Sequence, residues 1–174
     1  MKEEQVKLDI PALGAPFAGG FFGGEYVLDG QRFALVVAPK AEGEKLDVPY
    51  KAKNFGAADG TDSDDDGVIN CVRINDADHP AAEFCLDLSI GGFTDWFLPS
   101  RDELAVLCRN LGPTRKKTPE PFRSGDSEAF AERWHWSSTE FASYSGYAWV
   151  VDFSVVARAT TVSTTTTRFG QSAD

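Results

Sequence analysis

One segment near the middle of the chain defines a helix together with both of its ends. In GGFTDWFLPSRDELAVLCRNLGP, Ser100 and Glu103 have the spacing of a capping box: the serine oxygen accepts a helix N–H and the glutamate reaches back to the serine N–H. From Leu104 onward, leucine or cysteine recurs at i, i+3, i+4 and i+7, which gives one buried face. Gly112-Pro113 then stops the pattern. We therefore predict an amphipathic helix between Ser100 and Gly112.

Alternation of large and small residues predicts strands on both sides of this helix. Asp29-Gly30 is the strongest two-residue turn signal, and it predicts a hairpin within EYVLDGQRFALVVAP. After the helix, WHWSSTE and YAWVVDFSV alternate in the same way. The segment ATTVSTTTTRF is rich in threonine, whose branched Cβ favours strands, and it predicts a further strand or hairpin arm.

Long polar segments separate these elements. Residues 40–70 are acidic and glycine-rich, and residues 113–127 show no periodic pattern, so we predict loops for both. A short helix is expected between Pro80 and Leu88, with the proline in its first turn. Two helices followed by a dense β region predict an α+β fold in one domain spanning 1–174, rather than a repeating βαβ sheet.

Charge and cysteine content argue against several classes of function. The formal net charge of −10 disfavours binding to a phosphate backbone or an anionic membrane. No run approaches the roughly 18 apolar residues of a membrane span, and the N-terminus lacks the apolar core of a signal peptide. We expect a protein made in the cytoplasm, with no nucleic-acid partner and no membrane insertion. Cys71, Cys85 and Cys108 are expected to be free, mostly buried thiols; a disulfide between two of them is the alternative.

No pattern in the chain predicts catalysis. There is no G-x-G-x-x-G, P-loop or H-E-x-x-H motif, and the two histidines do not suggest a Ser-His-Asp set. The acidic stretch 62–66 and the glycine after it match the first half of a calcium loop, but Arg73 stands where the final acidic ligand belongs. A solvated acidic turn is the favoured interpretation and weak calcium binding the alternative. We predict no metal, no cofactor and no catalytic residue.

The tryptophans allow two interpretations. Trp134, Trp136 and Trp149 could be platforms on which sugars stack. Their recurrence within alternating strands favours the core instead, where large aromatic side chains bury the most area. We expect Trp96, Trp136 and Trp149 to be core residues.

Three segments together resemble the DUF1566 (Lcl-type) family. GGFTDWFLPSRDEL is similar to the family's G-x-x-D-W-x-L-P-[ST]-x-x-E-L signature, WHWSSTE to its aromatic-W-S-S-T strand, and AWVVDF to its A-W-x-x-x-F strand. The opening PALGAPFAGGFFGG and ALVVAPKAEGE resemble the phage-borne branch of tail-fibre and related proteins, which includes variable proteins of diversity-generating retroelements. The resemblance implies a C-type-lectin-like fold that needs no calcium, with two helices, a small mainly antiparallel sheet and long loops.

The resemblance also implies a particular amino-acid composition near the C-terminus. In such variable proteins, adenines of a template are copied with errors, so chosen codons, mostly AAC or AAT, vary. These codons cannot become Lys, Glu, Gln, Met or Trp. Between Phe141 and Thr167 only Trp149 belongs to that set, at the family's fixed A-W position, where roughly four such residues would be expected from the overall composition. Threonine is one base from asparagine, which suits the run of four threonines.

A variable region over 134–170 is implied, in a non-enzymatic ligand- or receptor-binding protein. Short side chains and tyrosines suit such a surface. Several copies of the protein would act together in a homo-oligomer. The expected partner is a protein or glycan on a cell surface, and the expected location is a virion tail fibre. The predicted contact residues are Phe141, Ser143, Tyr144, Ser145, Tyr147, Val150, Asp152, Ser154, Val155 and Ala157, followed by Ala159, Thr160, Thr161, Val162, Thr164, Thr165, Thr166 and Thr167.

Two positions depart from the family pattern. RFGQSAD follows the closing Arg168 where a basic R-A-V-R strand is usual, and Val156 stands where glycine is usual. Two alternatives for function are a fixed structural fibre component, whose last strand packs against another subunit, and an enzyme related to formylglycine-generating enzymes, whose chemistry would need reactive cysteines.

Overall fold

The structure is a computed structural model that describes residues 9–53, 59–141, 147–154, 161–164 and 166–171, the last two ranges by their backbone alone. Helices and strands are mixed along the chain, which confirms the predicted α+β class. In chain order they are β1 (Pro16–Phe17), β2 (Gly20–Leu28), β3 (Gln31–Val37), α1 (Lys40–Gly43), β4 (Glu44–Leu46), α2 (Gly67–Arg73), α3 (Pro80–Leu86), α4 (Arg101–Leu111), β5 (Trp134–Glu140), β6 (Ala148–Asp152), β7 (Thr161–Thr164) and β8 (Thr166–Gln171).

The strands form two sheets of four. The first has the order β1-β2-β3-β8 and the second the order β4-β7-β5-β6. Neighbouring strands are antiparallel except β5 and β7, which are parallel. The threonine-rich segment forms strands, as predicted, but the two strands do not pair with each other. β7 lies inside the second sheet and β8 pairs with β3 in the first, so this segment connects the two sheets.

The predicted hairpin, the α3 helix and the capped α4 helix are confirmed. β2 and β3 pair through the turn at Asp29-Gly30, where both residues have positive φ angles. α4 begins after Ser100 and ends at Leu111, and both hydrogen bonds of the capping box are present. Its apolar residues Leu104, Leu107 and Leu111 are fully buried.

The expectation of two helices, one small sheet and a loop over 40–70 is wrong in part. The described residues contain four helices and two sheets, and α1, β4 and α2 all fall within 40–73. α2 is too short to show a helical period, and its start depends on Asp66, whose side chain accepts the Ile69 N–H at 3.0 Å. β4 pairs with β7, more than a hundred residues later, which no local pattern reveals.

The buried carboxylate of Glu103 joins three elements. Oε2 accepts the Ser100 N–H at 2.8 Å and the Gly67 N–H at 3.1 Å, while Oε1 accepts the Tyr26 hydroxyl at 2.7 Å. The side chain therefore ties α4 to the first turn of α2 and to β2. Only glycine fits at position 67, because a Cβ there would lie 2.6 Å from Oε2.

Packing covers β5 on both faces. On one side, α4 packs against β2 and β3 around Leu35, Leu107 and Phe153. On the other, α2 and α3 pack around Ile74 and Phe97. A smaller cluster is formed by Val36, Ala38, Ile90 and Trp96. Trp96 is fully buried, as predicted, and Trp136 is partly buried against the cluster of α2 and α3.

His135 is completely buried in β5 between aromatic rings. Its ring centroid lies 4.3 Å from that of Phe153 and 5.7 Å from that of Phe130. Nε2 donates to the Ala131 carbonyl at 2.8 Å. Burial lowers the pKa of His135 to about 4, and the bond to Ala131 opposes the shift without overcoming it.

Replacing Glu103 by glutamine should cost about 1–3 kcal/mol of unfolding free energy, because two buried backbone donors lose a charged acceptor. Asp102→Asn is the matched control: Asp102 lies in the same helical turn but is exposed, and its contact is with the neighbouring Arg101. That variant should lose less than about 1 kcal/mol. Urea unfolding monitored by circular dichroism measures both, and equal losses would contradict the role given to Glu103.

Acid should destabilise the protein through His135. The folded-state pKa is depressed, so the stabilisation is complete above the ordinary histidine pKa of about 6.5 and is lost as the pH falls toward about 4. Between pH 7 and pH 5 the histidine should account for a loss of about 2 kcal/mol. In His135→Gln, which keeps a donor for Ala131, the loss over the same interval should be smaller by that amount. Parallel pH profiles of the two proteins would refute this assignment.

Candidate functional site

The structure places the predicted contact residues in three groups. Five have described side chains, and none of the five is buried: Phe141, Tyr147, Val150, Asp152 and Ser154. Five others are described only as strand backbone: Thr161, Val162, Thr164, Thr166 and Thr167. The rest lie outside the described residues: Ser143, Tyr144, Ser145, Val155, Ala157, Ala159, Thr160 and Thr165.

An aromatic patch, made of Phe141, Tyr147 and Trp149, lies at the start of β6. The rings of Phe141 and Trp149 meet edge to face, with centroids 4.7 Å apart and planes at 72°. The Phe141 N–H donates to the Tyr147 carbonyl at 2.6 Å. Tyr147 is 66% exposed and Trp149 is 36% exposed. The patch therefore presents large apolar surface to solvent.

The prediction that Trp149 is a core residue is wrong. β6 is the last strand of the second sheet as far as the described residues show, and no described strand pairs with its outer edge. The indole instead contacts Arg101, whose guanidinium carbon lies 5.4 Å from the ring centre. Arg101 is held in turn by Asp64 at 3.0 Å and Asp102 at 3.1 Å. Alternation along the strand did not reveal this exposure, because the pattern is the same for central and edge strands.

The polar residues of β5 fix the backbone beneath the patch. The Ser137 hydroxyl donates to the Trp149 carbonyl at 3.0 Å, and the Thr139 hydroxyl donates to the Ser63 carbonyl at 2.9 Å while accepting the Arg101 N–H at 3.0 Å. The Ser138 N–H donates to the Pro99 carbonyl at 2.8 Å. All three side chains are buried. The serines and threonine of WHWSSTE thus bond the surrounding loops rather than solvent.

A cluster of charged groups lies behind the end of β5. The Glu140 carboxylate accepts the backbone N–H groups of Asp59 and Gly60 at 3.1 Å. The Asp59 side chain forms a buried ion pair with Lys51, and its Oδ1 lies 3.2 Å from His79 Nε2. Sequence analysis missed this cluster, because its members are far apart in the chain and have no motif spacing. Lys51 is buried beside the opposite charge of Asp59, so removing either partner would leave an uncompensated buried charge.

The acidic residues 62–66 form ion pairs and a helix cap, and the cysteines are buried. Asp62 and Asp64 each pair with an arginine, and Asp66 caps α2. Among the described residues, no three Asp, Glu, His or Cys side chains are grouped to hold a metal ion. All three cysteines are free and buried, and burial raises the pKa of the Cys71 thiol. No helix in the described ranges is long and apolar enough to cross a membrane.

No protein-family model, curated protein or solved structure significantly matches the chain. The likeness to DUF1566 domains therefore rests on the three segments quoted above.

Replacing Trp149 and Trp96 by alanine should show, by the loss of unfolding free energy, which of the two lies at the surface and which in the core. Trp149→Ala should lower the unfolding free energy by about 1 kcal/mol, because the ring is partly in solvent already. Trp96→Ala should cost about 3–5 kcal/mol, because it leaves a cavity among Val36, Ala38 and Ile90. Denaturant midpoints measure both variants. A loss at Trp149 as large as that at Trp96 would restore the core interpretation.

Proposed function

We propose that the protein is a non-enzymatic binding protein with a C-type-lectin-like fold, and that residues 141–167 form the surface that contacts its target. The observation that carries the proposal is the aromatic patch: large aromatic side chains are exposed beside a strand whose polar side chains are all engaged. We further propose that this surface is varied by a diversity-generating retroelement, as in the phage-borne proteins that the chain resembles.

The proposal depends on a division of roles between two neighbouring strands. In β5, Ser137, Ser138 and Thr139 are buried and hydrogen-bonded to loops of the scaffold. In β6, Trp149 and Asp152 are exposed. A substitution at position 149 therefore keeps the bond from Ser137, since that hydroxyl donates to the backbone carbonyl of residue 149 and not to its side chain. Such an arrangement supports changes in recognition without changes in folding.

The chemistry of the patch suits recognition of proteins or glycans. Tyrosine and tryptophan combine rigid apolar area with a polar group, and few rotatable bonds are immobilised when they bind. Arg101 adds a cation beside the indole of Trp149. Aromatic faces also stack on the apolar faces of sugars. The same surface could therefore serve either a protein or a glycan, which is the partner class that the resemblance implies.

The threonine-rich segment contributes through its backbone. β7 pairs with β4 and β5, and β8 pairs with β3 over six residues, from Arg32↔Gln171 to Val37↔Thr166. A disordered tail would not have these partners. The pairing supports our proposal that 161–167 belongs to the folded framework and not to a flexible extension.

Two libraries test the proposal. One randomises Phe141, Tyr147, Val150, Asp152 and Ser154, and the control library randomises Ser137, Ser138, Thr139 and Glu140. Both are displayed on yeast and selected against lysozyme as an arbitrary protein probe. The first library should remain largely folded and yield binders, whereas most members of the second should be lost from display because buried polar groups lose their partners. Equal loss of display, or no binders from the first library, would refute the surface assignment.

Diversification has a separate test in the flanking DNA. We expect a near-identical copy of the segment that encodes 141–167, differing at adenines, beside a reverse-transcriptase gene. Sequencing that region decides the matter. If no such copy exists, the diversification part of the proposal fails, while the binding surface stands or falls on the library experiment.

A further inference from the structure

Two arginines on one side of the molecule differ from all the others whose side chains are described. Five of those seven arginines have an Asp or Glu oxygen within 4.0 Å: Arg32, Arg73, Arg101, Arg123 and Arg133. The remaining two, Arg109 and Arg115, have no Asp or Glu oxygen at that distance within the part of the chain that the structure describes. In a chain with a net charge of −10, carboxylates outnumber cationic side chains. Two neighbouring guanidinium groups without a carboxylate partner are therefore candidates for binding an external anion.

Both unpaired arginines line the same groove. It lies between α4 and β6, has a volume of about 280 Å³, and is lined by Ala105, Cys108, Arg109, Arg115, Val151 and Asp152. The Cys108 thiol donates to the Asp152 carbonyl at 3.6 Å, and Arg115 Nη2 lies 3.7 Å from the Cys108 sulfur. These contacts position Arg115 at the wall of the groove. A volume of this size suits a ligand no larger than one sugar ring, near the lower limit for small-molecule sites.

Asp152 lines the groove together with the arginines but does not neutralise them. Its Oδ1 accepts the Ser154 N–H at 2.8 Å and the Ser154 hydroxyl at 2.5 Å. Slight burial raises the pKa of the Asp152 carboxyl, but hydrogen bonds from Ser154 and from the Trp134 side chain outweigh this effect and the pKa is lowered overall. The groove is thus lined by two cations and one anion, together with apolar surface from Ala105 and Val151.

We infer that this groove binds an acidic monosaccharide unit, a sugar that carries a carboxylate. The guanidinium groups of Arg109 and Arg115 bind the carboxylate through charge-assisted hydrogen bonds. Asp152 accepts hydrogen bonds from ring hydroxyls, which a bare anion such as sulfate does not offer. The side chains of Ala105 and Val151 pack against the C–H face of the ring. The single negative group of the ligand thus complements the two arginines, and its hydroxyl donors complement the Asp152 carboxylate.

This inference does not require the diversification proposal. Arg109 and Arg115 lie outside 141–167, whereas Asp152, which also lines the groove, lies within it. The groove does not include the residues of the aromatic patch. The two sites adjoin at β6, so a glycan that ends in an acidic sugar could occupy both. The two tests are separate, because the groove is tested with the native sequence and with variants at Arg109 and Arg115, which neither library changes.

Titration calorimetry of the full chain with D-glucuronate, D-glucose and sulfate tests the inference. At low ionic strength we expect glucuronate to bind with a Kd of about 1 mM, and glucose to bind at least about tenfold more weakly because it lacks the charge. Arg109→Gln and Arg115→Gln should each weaken glucuronate binding by about tenfold. Lys116→Gln and Lys117→Gln are the matched controls, since these exposed cations lie on the same loop but do not line the groove, and they should change the Kd less than twofold.

Asp152→Asn distinguishes a sugar site from a bare anion site. If hydroxyl groups bind Asp152, the variant should weaken glucuronate binding and strengthen sulfate binding, because it removes both an acceptor charge and a repulsion. The inference is overturned if glucuronate binds no more tightly than glucose, or if the arginine variants behave like the lysine controls. Tighter binding of glucuronate and sulfate alike in Asp152→Asn would also overturn it, because a simple anion site would then suffice. Arg109 is exposed, so its variant should fold normally, which a thermal melt verifies.

Discussion

The buried carboxylate of Glu103 is the interaction on which the arrangement of the helices depends. A fully buried charge is costly unless several donors satisfy it. Here the donors come from Ser100, from Gly67 and from Tyr26, so the cost is offset only when α4, α2 and β2 lie in their native positions together. The carboxylate thus caps α4 and also favours the one arrangement in which α4, α2 and β2 all supply donors. Glycine at 67 is part of the same constraint, because any side chain there would displace the carboxylate.

The orientation of α4 fixed in this way determines what the surface can present. The Thr139 hydroxyl of β5 accepts the Arg101 N–H at the start of α4. This bond fixes the helix against the second sheet in the same turn that contains Glu103. Arg101 and Arg109 then lie two helical turns apart and face β6 at its two ends, beside Trp149 and in the groove respectively. The aromatic patch and the groove therefore both lie along the contact between α4 and β6, and β6 is supported by this contact and by its pairing with β5.

The elements that could be predicted from sequence are those whose signals are local. The capping box at Ser100, the turn at Asp29-Gly30 and the proline that begins α3 each act through neighbouring backbone groups, and all three were confirmed. The division of the threonine-rich segment between two sheets could not be predicted, because it depends on partners more than a hundred residues away. For the same reason the exposure of Trp149 was missed: an edge strand and a central strand alternate alike. One available signal was overlooked, since the spacing of Arg101, Ala105 and Arg109 places them on one helical face.

The overall acidity of the chain and the basic lining of one groove are compatible because electrostatic interactions are short-ranged in salt. At physiological ionic strength the Debye length is about 8 Å, so acidic groups elsewhere on the surface are largely screened at the groove. The charged residues that line the groove itself are Arg109, Arg115 and Asp152. At low ionic strength the net charge of −10 repels any anion during its approach, which slows association more than it weakens the final contacts. A ligand with one carboxylate on a largely neutral ring feels this repulsion less than a multiply charged phosphate polymer. The same physics therefore disfavours nucleic acid over the whole surface and still permits an acidic sugar at one place on it.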